Sequence, residues 1–161
     1  MVTIRKASAA DADQIWEIFS KVIESEDTYV FTADTPRSDL RKNWFATYMT
    51  TFVAEDNGEI LGTYIIKPNQ TGLGNHIANC SYMVHPDHQG KGTGTKMCEH
   101  SIQFAMESGY KGIQFNIVVS TNTGAIELWK KFGFRITGTT PGGFRHRNLG
   151  MVDTHIMFKE L

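Results

Sequence analysis

Residues 84–97, VHPDHQGKGTGTKM, place glycines at 90, 92 and 94 between an apolar strand pattern and a helical one. Glycine loses more conformational freedom on folding than any other residue, so this spacing implies that bare backbone is required there. The flanking elements limit the fold further. Residues 76–84 read as a strand that Pro86 helps to end. Cys98, Ile102, Ala105 and Met106 mark a helix, closed by Gly109 and Gly112, and the β-branched run 113–119 reads as a buried strand. A strand–helix–strand succession of this kind is a right-handed parallel crossover.

The rest of the chain adds antiparallel elements. Val2 to Lys6 alternates and reads as a strand. Ser8 offers an N-cap with Asp11 three residues on, and Ile15, Phe19, Val22 and Ile23 recur at helical spacing. Residues 24–35 read as an ordered loop carrying Tyr29, Val30 and Phe31. Thr35-Pro36 then opens a second helix with Leu40, Trp44 and Tyr48 on one face. In TFVAEDNGEILGTYIIK two apolar runs flank Asn57-Gly58, the dipeptide suited to a tight hairpin turn. A Gly- and Asn-rich loop, 68–75, follows. Asn122 begins a further helix with Ala125, Leu128, Trp129 and Phe132, ended by Gly133. Residues 134–138 read as a short strand, TTPGGFRHRNLG as a loop, and 152–159 as the closing strand. The resulting fold class is α+β: one domain, 1–161, with a mixed sheet of about seven strands and helices on both faces.

Bulk composition bounds the partners. A formal net charge of −1 provides no broad basic field for nucleic acid. Two cysteines, Cys80 and Cys98, sit in apolar patterns and form neither a disulfide framework nor a zinc spacing. His85 and His88 have metal-like spacing but no third ligand at a recognisable interval, so no metal is expected. The N-terminus lacks a secretory pattern and no run reaches membrane-spanning length, which sets a cytoplasmic, soluble protein as the expectation.

Three phosphate-binding patterns can be separated on the glycine run. A Walker A loop needs Gly-Lys-Ser/Thr after its spacer, and Gly90 is followed instead by Thr95-Lys96-Met97. A Rossmann fingerprint needs GxGxxG after the first strand, whereas this GxGxG lies mid-chain. The third pattern, Gln/Arg-x-x-Gly-x-Gly/Ala at a strand–loop–helix junction, is matched by Gln89-Gly90-Lys91-Gly92-Thr93-Gly94. Successive backbone N–H groups there form a concavity, and the helix start adds partial positive charge, so a diphosphate is the natural ligand.

With this run, and with Asn122-x-x-Ala125-x-x-Leu128-Trp129-x-x-x-Gly133-Phe134 roughly thirty residues on, the sequence resembles the GCN5-related N-acetyltransferases over nearly its whole length. The resemblance implies that the parallel strands splay apart and that the pantetheine arm of acetyl-CoA, the cosubstrate, lies in the gap like an added strand. Met83 and Val84 would supply those main-chain contacts, and an N–H near Met83 would polarise the thioester carbonyl. Residues Gln89, Gly90, Lys91, Gly92, Thr93, Gly94 and Thr95 would hold the diphosphate. Asn122 would reach the pantetheine or cap its own helix, and Asn116 and Trp129 are further cofactor-binding candidates. The family's usual acid is a Tyr where this chain has Trp129, and an indole N–H is no acid near neutral pH. Tyr82 or water would substitute, or the thiolate would leave unassisted. The same resemblance allows a homodimer.

Two narrower likenesses address the acceptor. HIANCSYMV and FNIVVSTNTGAIELW look like segments of fungal acetyltransferases acting on proline analogues, with Asn at the positions of Asn79, Asn116 and Asn122. Asn79 would then orient the amine or a water. A buried strand Asn without that duty needs its own hydrogen-bond partners. Asn116 divides between the same two roles. SEDTYVFTADTPRSDL and GGFRHRNLGMVDTHIM are similar to segments of relatives that acetylate phosphinothricin and methionine derivatives. That likeness makes Tyr29, Phe31 and Tyr64 pocket candidates, Glu26 a base candidate, and Arg145, His146 and Arg147 candidates for a substrate carboxylate. The expected function is acetyl transfer to a small-molecule amine, such as an amino acid or analogue. A CoA-binding regulator without turnover, favoured by Trp129, and a protein or peptide N-acetyltransferase are the other readings.

Overall fold

The computed structural model describes residues 1–161. β1 (Thr3–Lys6), β2 (Thr50–Asp56), β3 (Glu59–Pro68) and β4 (Ile77–Val84) form an antiparallel run. β4 is followed by α3 (Thr93–Glu107) and then by β5 (Gly112–Val119), its parallel neighbour. β6 (Arg135–His146) and β7 (Gly150–Glu160) complete a seven-stranded mixed sheet in the order β1-β2-β3-β4-β5-β7-β6. This is the mixed sheet with a splayed parallel pair that the sequence predicts. No helix is long and apolar enough to cross a membrane.

The sheet separates two apolar layers. On one face α1 (Ala12–Glu24) buries Ile15, Ile18, Phe19 and Ile23 beside Trp44 of α2 (Leu40–Trp44). Each such side chain contributes about 1.5–3 kcal/mol on leaving water. On the other face α3 and α4 (Thr123–Lys131), the latter contributing Trp129, cover Phe52, Tyr64, Cys80 and Phe115. Strand alternation assigns the sides: Tyr64 and Tyr82 go to the α3 layer, Ile65 and Met83 to the α1 layer.

Two predicted elements differ. α2 stops at Trp44, and Tyr48 is exposed instead of extending its apolar face. The Thr51 hydroxyl donates to the Trp44 carbonyl and occupies the acceptor that another turn of helix would use. Residues 139–146, expected as loop, belong to β6 and pair with β7 through a register shift between Thr140 and Phe144. β6 is an edge strand, where Pro141 removes no ladder bond that a neighbour needs, and the bulge absorbs Gly142-Gly143.

Asp11 anchors the start of α1. It is buried, accepts both Arg5 Nη atoms at 2.8 and 2.9 Å, and accepts the Ser8 N–H at 2.7 Å. The Arg5 hydrogen bonds lower its pKa from 3.8 to about 2. Its folded pKa is below the unfolded one, so the ionised group stabilises fully above pH 3.8 and loses that contribution as pH falls through about 2. Asp11→Asn should cost about 1–2 kcal/mol at neutral pH, a value reduced for the partial exposure of Arg5. In chemical unfolding at a series of pH values, the gap from the parent protein should narrow steadily below pH 3.8.

Candidate active site

β4 and β5 pair only at Ile77 with Gly112 and Ala78 with Ile113. Beyond that point they diverge, and the β5 register against β7 shifts between Phe115 and Val118. Asn79 sits at the vertex. Its Nδ2 donates to the Gln114 carbonyl at 2.9 Å, across the opening gap. The partner that a buried strand Asn requires is therefore present. Its Oδ1 has no protein partner and is not sealed from solvent.

The ladder shows which main-chain groups the fork releases. The His85 N–H bonds Leu61 O, and the Asn69 N–H bonds Ile77 O. Bonded pairs alternate along an antiparallel ladder, so Met83 exchanges its bonds with Thr63 on β3. Cys80, Tyr82 and Val84 carry the N–H and C=O groups that face the gap. Met83, expected to supply such contacts, keeps its main chain in the ladder and its side chain in the α1 layer.

The fork opens into a cleft of about 1250 Å³. At one end, Gln89, Gly90, Gly92, Thr93, Gly94 and Thr95 form its wall. Gly90 and Gly92 have φ of 73° and 83°, the left-handed region that disfavours side chains. Gly94 is different: a Cβ there would meet Leu128 at 3.6 Å and Val84 at 3.9 Å, ordinary contacts. Gly92 caps α3, and Lys96 is the first residue whose N–H returns to a carbonyl, that of Gly92. The N–H groups of Thr93, Gly94 and Thr95 therefore remain free, and Thr93 Oγ1 is buried without a partner. This combination of open donors at a helix start fits a diphosphate. Lys91 does not join it. Its ammonium turns back to Asp87 O at 2.9 Å, and the side chain lines a separate depression with Asp56 and Glu59.

α4 forms the second wall. Asn122 Oδ1 accepts the Ala125 N–H at 3.3 Å and so caps α4, while Asn122 also lines the cleft. Asn116 is exposed and holds the amides of Gln114 and Asn69 at 3.0 and 2.7 Å. The Trp129 ring packs 4.8 Å from both Tyr82 and Phe115. Tyr82 Oη lies 2.7 Å from Ser101 Oγ beneath α3, and desolvation holds its pKa well above the ordinary phenol value. The phenol thus points away from the gap, and Tyr82 offers the cleft its main chain instead of an acid.

The remainder of the cleft is lined by Asp27, Tyr29, Phe31, Asn43, Lys67 and Ser81 among others. Tyr64 is absent from it. Its ring stacks on Phe52 at 4.9 Å in the α3 layer, and its hydroxyl meets His100 Nδ1 at 2.6 Å. Glu26 is also absent, because a backbone φ of 50° turns its side chain onto the Ala33 N–H at 3.2 Å. The next residue, Asp27, supplies the carboxylate of the cleft. Arg147 ties the β6–β7 turn to Glu24 O and Glu26 O and leaves the cleft unlined by residues 145–147. Sequence reasoning missed Asp27, Lys67 and Ser81. Only the pairing of Lys67 with Asn79 and of Ile65 with Ser81 brings β3 side chains to the vertex.

With this geometry established, the comparisons with known proteins give the class. The sequence matches the acetyltransferase (GNAT) family over residues 14–134, and the chain belongs to that family. It is 36% identical over 98 residues to N-acetyltransferase aca1 of Schizosaccharomyces pombe, covering 60% of this chain and 47% of that protein. The chain thus spans about half the length of that relative. It is 31% identical over 146 residues to the L-amino acid N-acyltransferase MnaT of Escherichia coli, covering 87% and 83% of the two chains. A GCN5-related N-acetyltransferase from Kribbella flavida superposes with a TM-score of 0.95 at 35% identity, covering 99% and 98%. The yncA acetyltransferase from Salmonella typhimurium, solved with its cofactor acetyl-CoA, gives 0.87 at 27% identity, covering 100% and 94%.

The two kinds of glycine separate in experiment. Gly94→Ala should leave the melting temperature unchanged or slightly raised, because alanine favours helix, yet weaken acetyl-CoA by at least about fivefold. Gly92→Ala should itself destabilise the protein by about 1 kcal/mol or more through its positive φ. Thermal unfolding and titration calorimetry on both variants check this.

Proposed function

We propose that this chain transfers the acetyl group of acetyl-CoA directly to the amine of an amino-acid-like small molecule. One observation carries the reading: a strand edge released at Tyr82 and Val84 and the free N–H groups that start α3 line one continuous cleft. An extended acyl carrier with a diphosphate at its far end has that shape. The diphosphate binds at residues 92–95 with Gln89, and the pantetheine amides pair with Val84. The thioester oxygen takes the Tyr82 N–H, which stabilises the oxyanion as the amine attacks. The acceptor reacts as the neutral amine, its ammonium having first given one proton to solvent; the nitrogen lone pair then forms the C–N bond and the C–S pair leaves on sulfur. Trp129 has no exchangeable acid and the Tyr82 hydroxyl is committed beneath α3, so the sulfur takes its proton through water.

The acceptor end supports a zwitterion. Lys67 pairs with Asn79 at the vertex, and its ammonium lies over the Tyr48 ring, 5.7 Å from the centroid, with no carboxylate in reach. It is the group that would hold a substrate carboxylate, while Asp27 favours approach of the ammonium end. Similarity to an L-amino acid N-acyltransferase supports the same class.

Thiol release from acetyl-CoA should be measured over free L-amino acids, their carboxamides and simple alkylamines. Free amino acids should be turned over best. A preference for the alkylamines, or no turnover across the panel despite acetyl-CoA binding, would refute the acceptor class. Lys67→Gln should raise KM for a free amino acid by about tenfold or more and leave KM for its carboxamide nearly unchanged.

A further inference from the structure

The loop between α1 and α2 meets the fork through one polar contact. Tyr29 Oη donates its single proton to the main-chain oxygen of Tyr82. A peptide oxygen has no proton to offer, so the direction of this bond is settled. No other protein group bonds to Tyr29 Oη, and its lone pairs stay free. Packing holds the ring: it stacks on Phe31 at 6.3 Å and meets Trp44 edge-on at 6.5 Å. Desolvation raises the phenol pKa, so the group stays neutral and keeps its proton. Tyr29 lines the cleft, and Tyr82 is one of the β4 residues whose main chain faces the gap. The N–H and C=O of one strand residue point to the same side. The phenol oxygen therefore stands on the gap side of β4, along the same strand edge as the Tyr82 N–H.

We propose that Tyr29 Oη accepts a hydrogen bond from the attacking nitrogen of the acceptor during acetyl transfer. This rests on the reading of the fork as the thioester site and not on the identity of the acceptor. As the nitrogen lone pair closes on the thioester carbon, positive charge develops on nitrogen and its N–H groups become stronger donors. A fixed acceptor at that position bonds the transition state more strongly than the ground state. The C–N bond forms, the C–S pair departs on sulfur, and one nitrogen proton finishes on that sulfur through water. Tyr29 does not carry this proton. Its own hydrogen faces a peptide carbonyl, which cannot relay it, so the phenol orients and stabilises and is not a base.

Tyr29→Phe keeps the ring and removes only the oxygen. With L-methionine as acceptor, kcat should fall by about 10- to 100-fold. Calorimetric affinity for acetyl-CoA should hold, the melting temperature should fall by no more than the few degrees that one lost hydrogen bond costs, and the midpoint of the kcat–pH profile should not move. A 3-fluorotyrosine at position 29, a weaker acceptor of the same shape, should lower kcat by a smaller factor, and it decides the matter alone if the Phe variant fails to fold. Unchanged kcat, or a parallel loss of acetyl-CoA affinity showing that the phenol only holds the loop, overturns the proposal. If the parent protein does not turn over L-methionine, that result counts against the amino-acid reading alone. The same comparison then uses the slow hydrolysis of acetyl-CoA, where the O–H of water meets the same phenol. Slower hydrolysis by the Phe variant supports the role, and equal rates overturn it.

Discussion

A parallel ladder that opens after two residue pairs leaves main-chain donors and acceptors without partners inside a fold, and the rest of this structure is organised around that fact. Asn79 covers the vertex by giving its side-chain amide to Gln114 O, where the next ladder bond is missing. Past it, no ladder pair joins β5 to β4. Tyr29 takes the oxygen of Tyr82, and the remaining edge is left to a ligand. The unsatisfied backbone that would be a defect elsewhere is here the edge on which the proposed acyl carrier lies.

The second requirement is that α3 starts at the right place. Gly62 on β3 makes this possible, since a Cβ there would lie 2.9 Å from Met97 Cε and 3.1 Å from both Met83 O and Thr93 Cγ2. The close approach seats the first turn of α3 against the sheet. Gly90 and Gly92 supply the left-handed turns that bring the chain from β4 onto the helix axis. The free N–H groups of 93–95 then stand in line with the released strand edge. The two apolar layers hold this alignment from both faces: α1 with its Phe19–Trp44 contact on one side, and α3 and α4 around Trp129 on the other.

Much of this is legible in the residues, and the misreadings have specific causes. The glycine run, the Asn57-Gly58 turn and the helical spacings are local signals, and each yields the expected element. Residues 139–146 read as loop because Pro and Gly mark breaks, yet an edge strand tolerates both. Tyr64 reads as a pocket residue until strand alternation sends it to the far face. Glu26 and Asp27 are equal as neighbouring loop acids, and only the φ of 50° at Glu26 decides which one faces the cleft. Lys91 looks like a phosphate ligand, but it is drawn to the carbonyl of Asp87 four residues back.

The amino-acid sequence by itself determines the strand and helix succession, the bare backbone at the β4–α3 junction and the family, because each depends on residues near one another in the chain. Tertiary structure alone decides which main-chain groups face the fork, which tyrosine enters the cleft and which carboxylate lines it. Those outcomes depend on ladder register and on backbone dihedrals set by distant contacts, such as Arg147 against Glu26 and Tyr29 against Tyr82. Such pairings are closed only when the sheet forms.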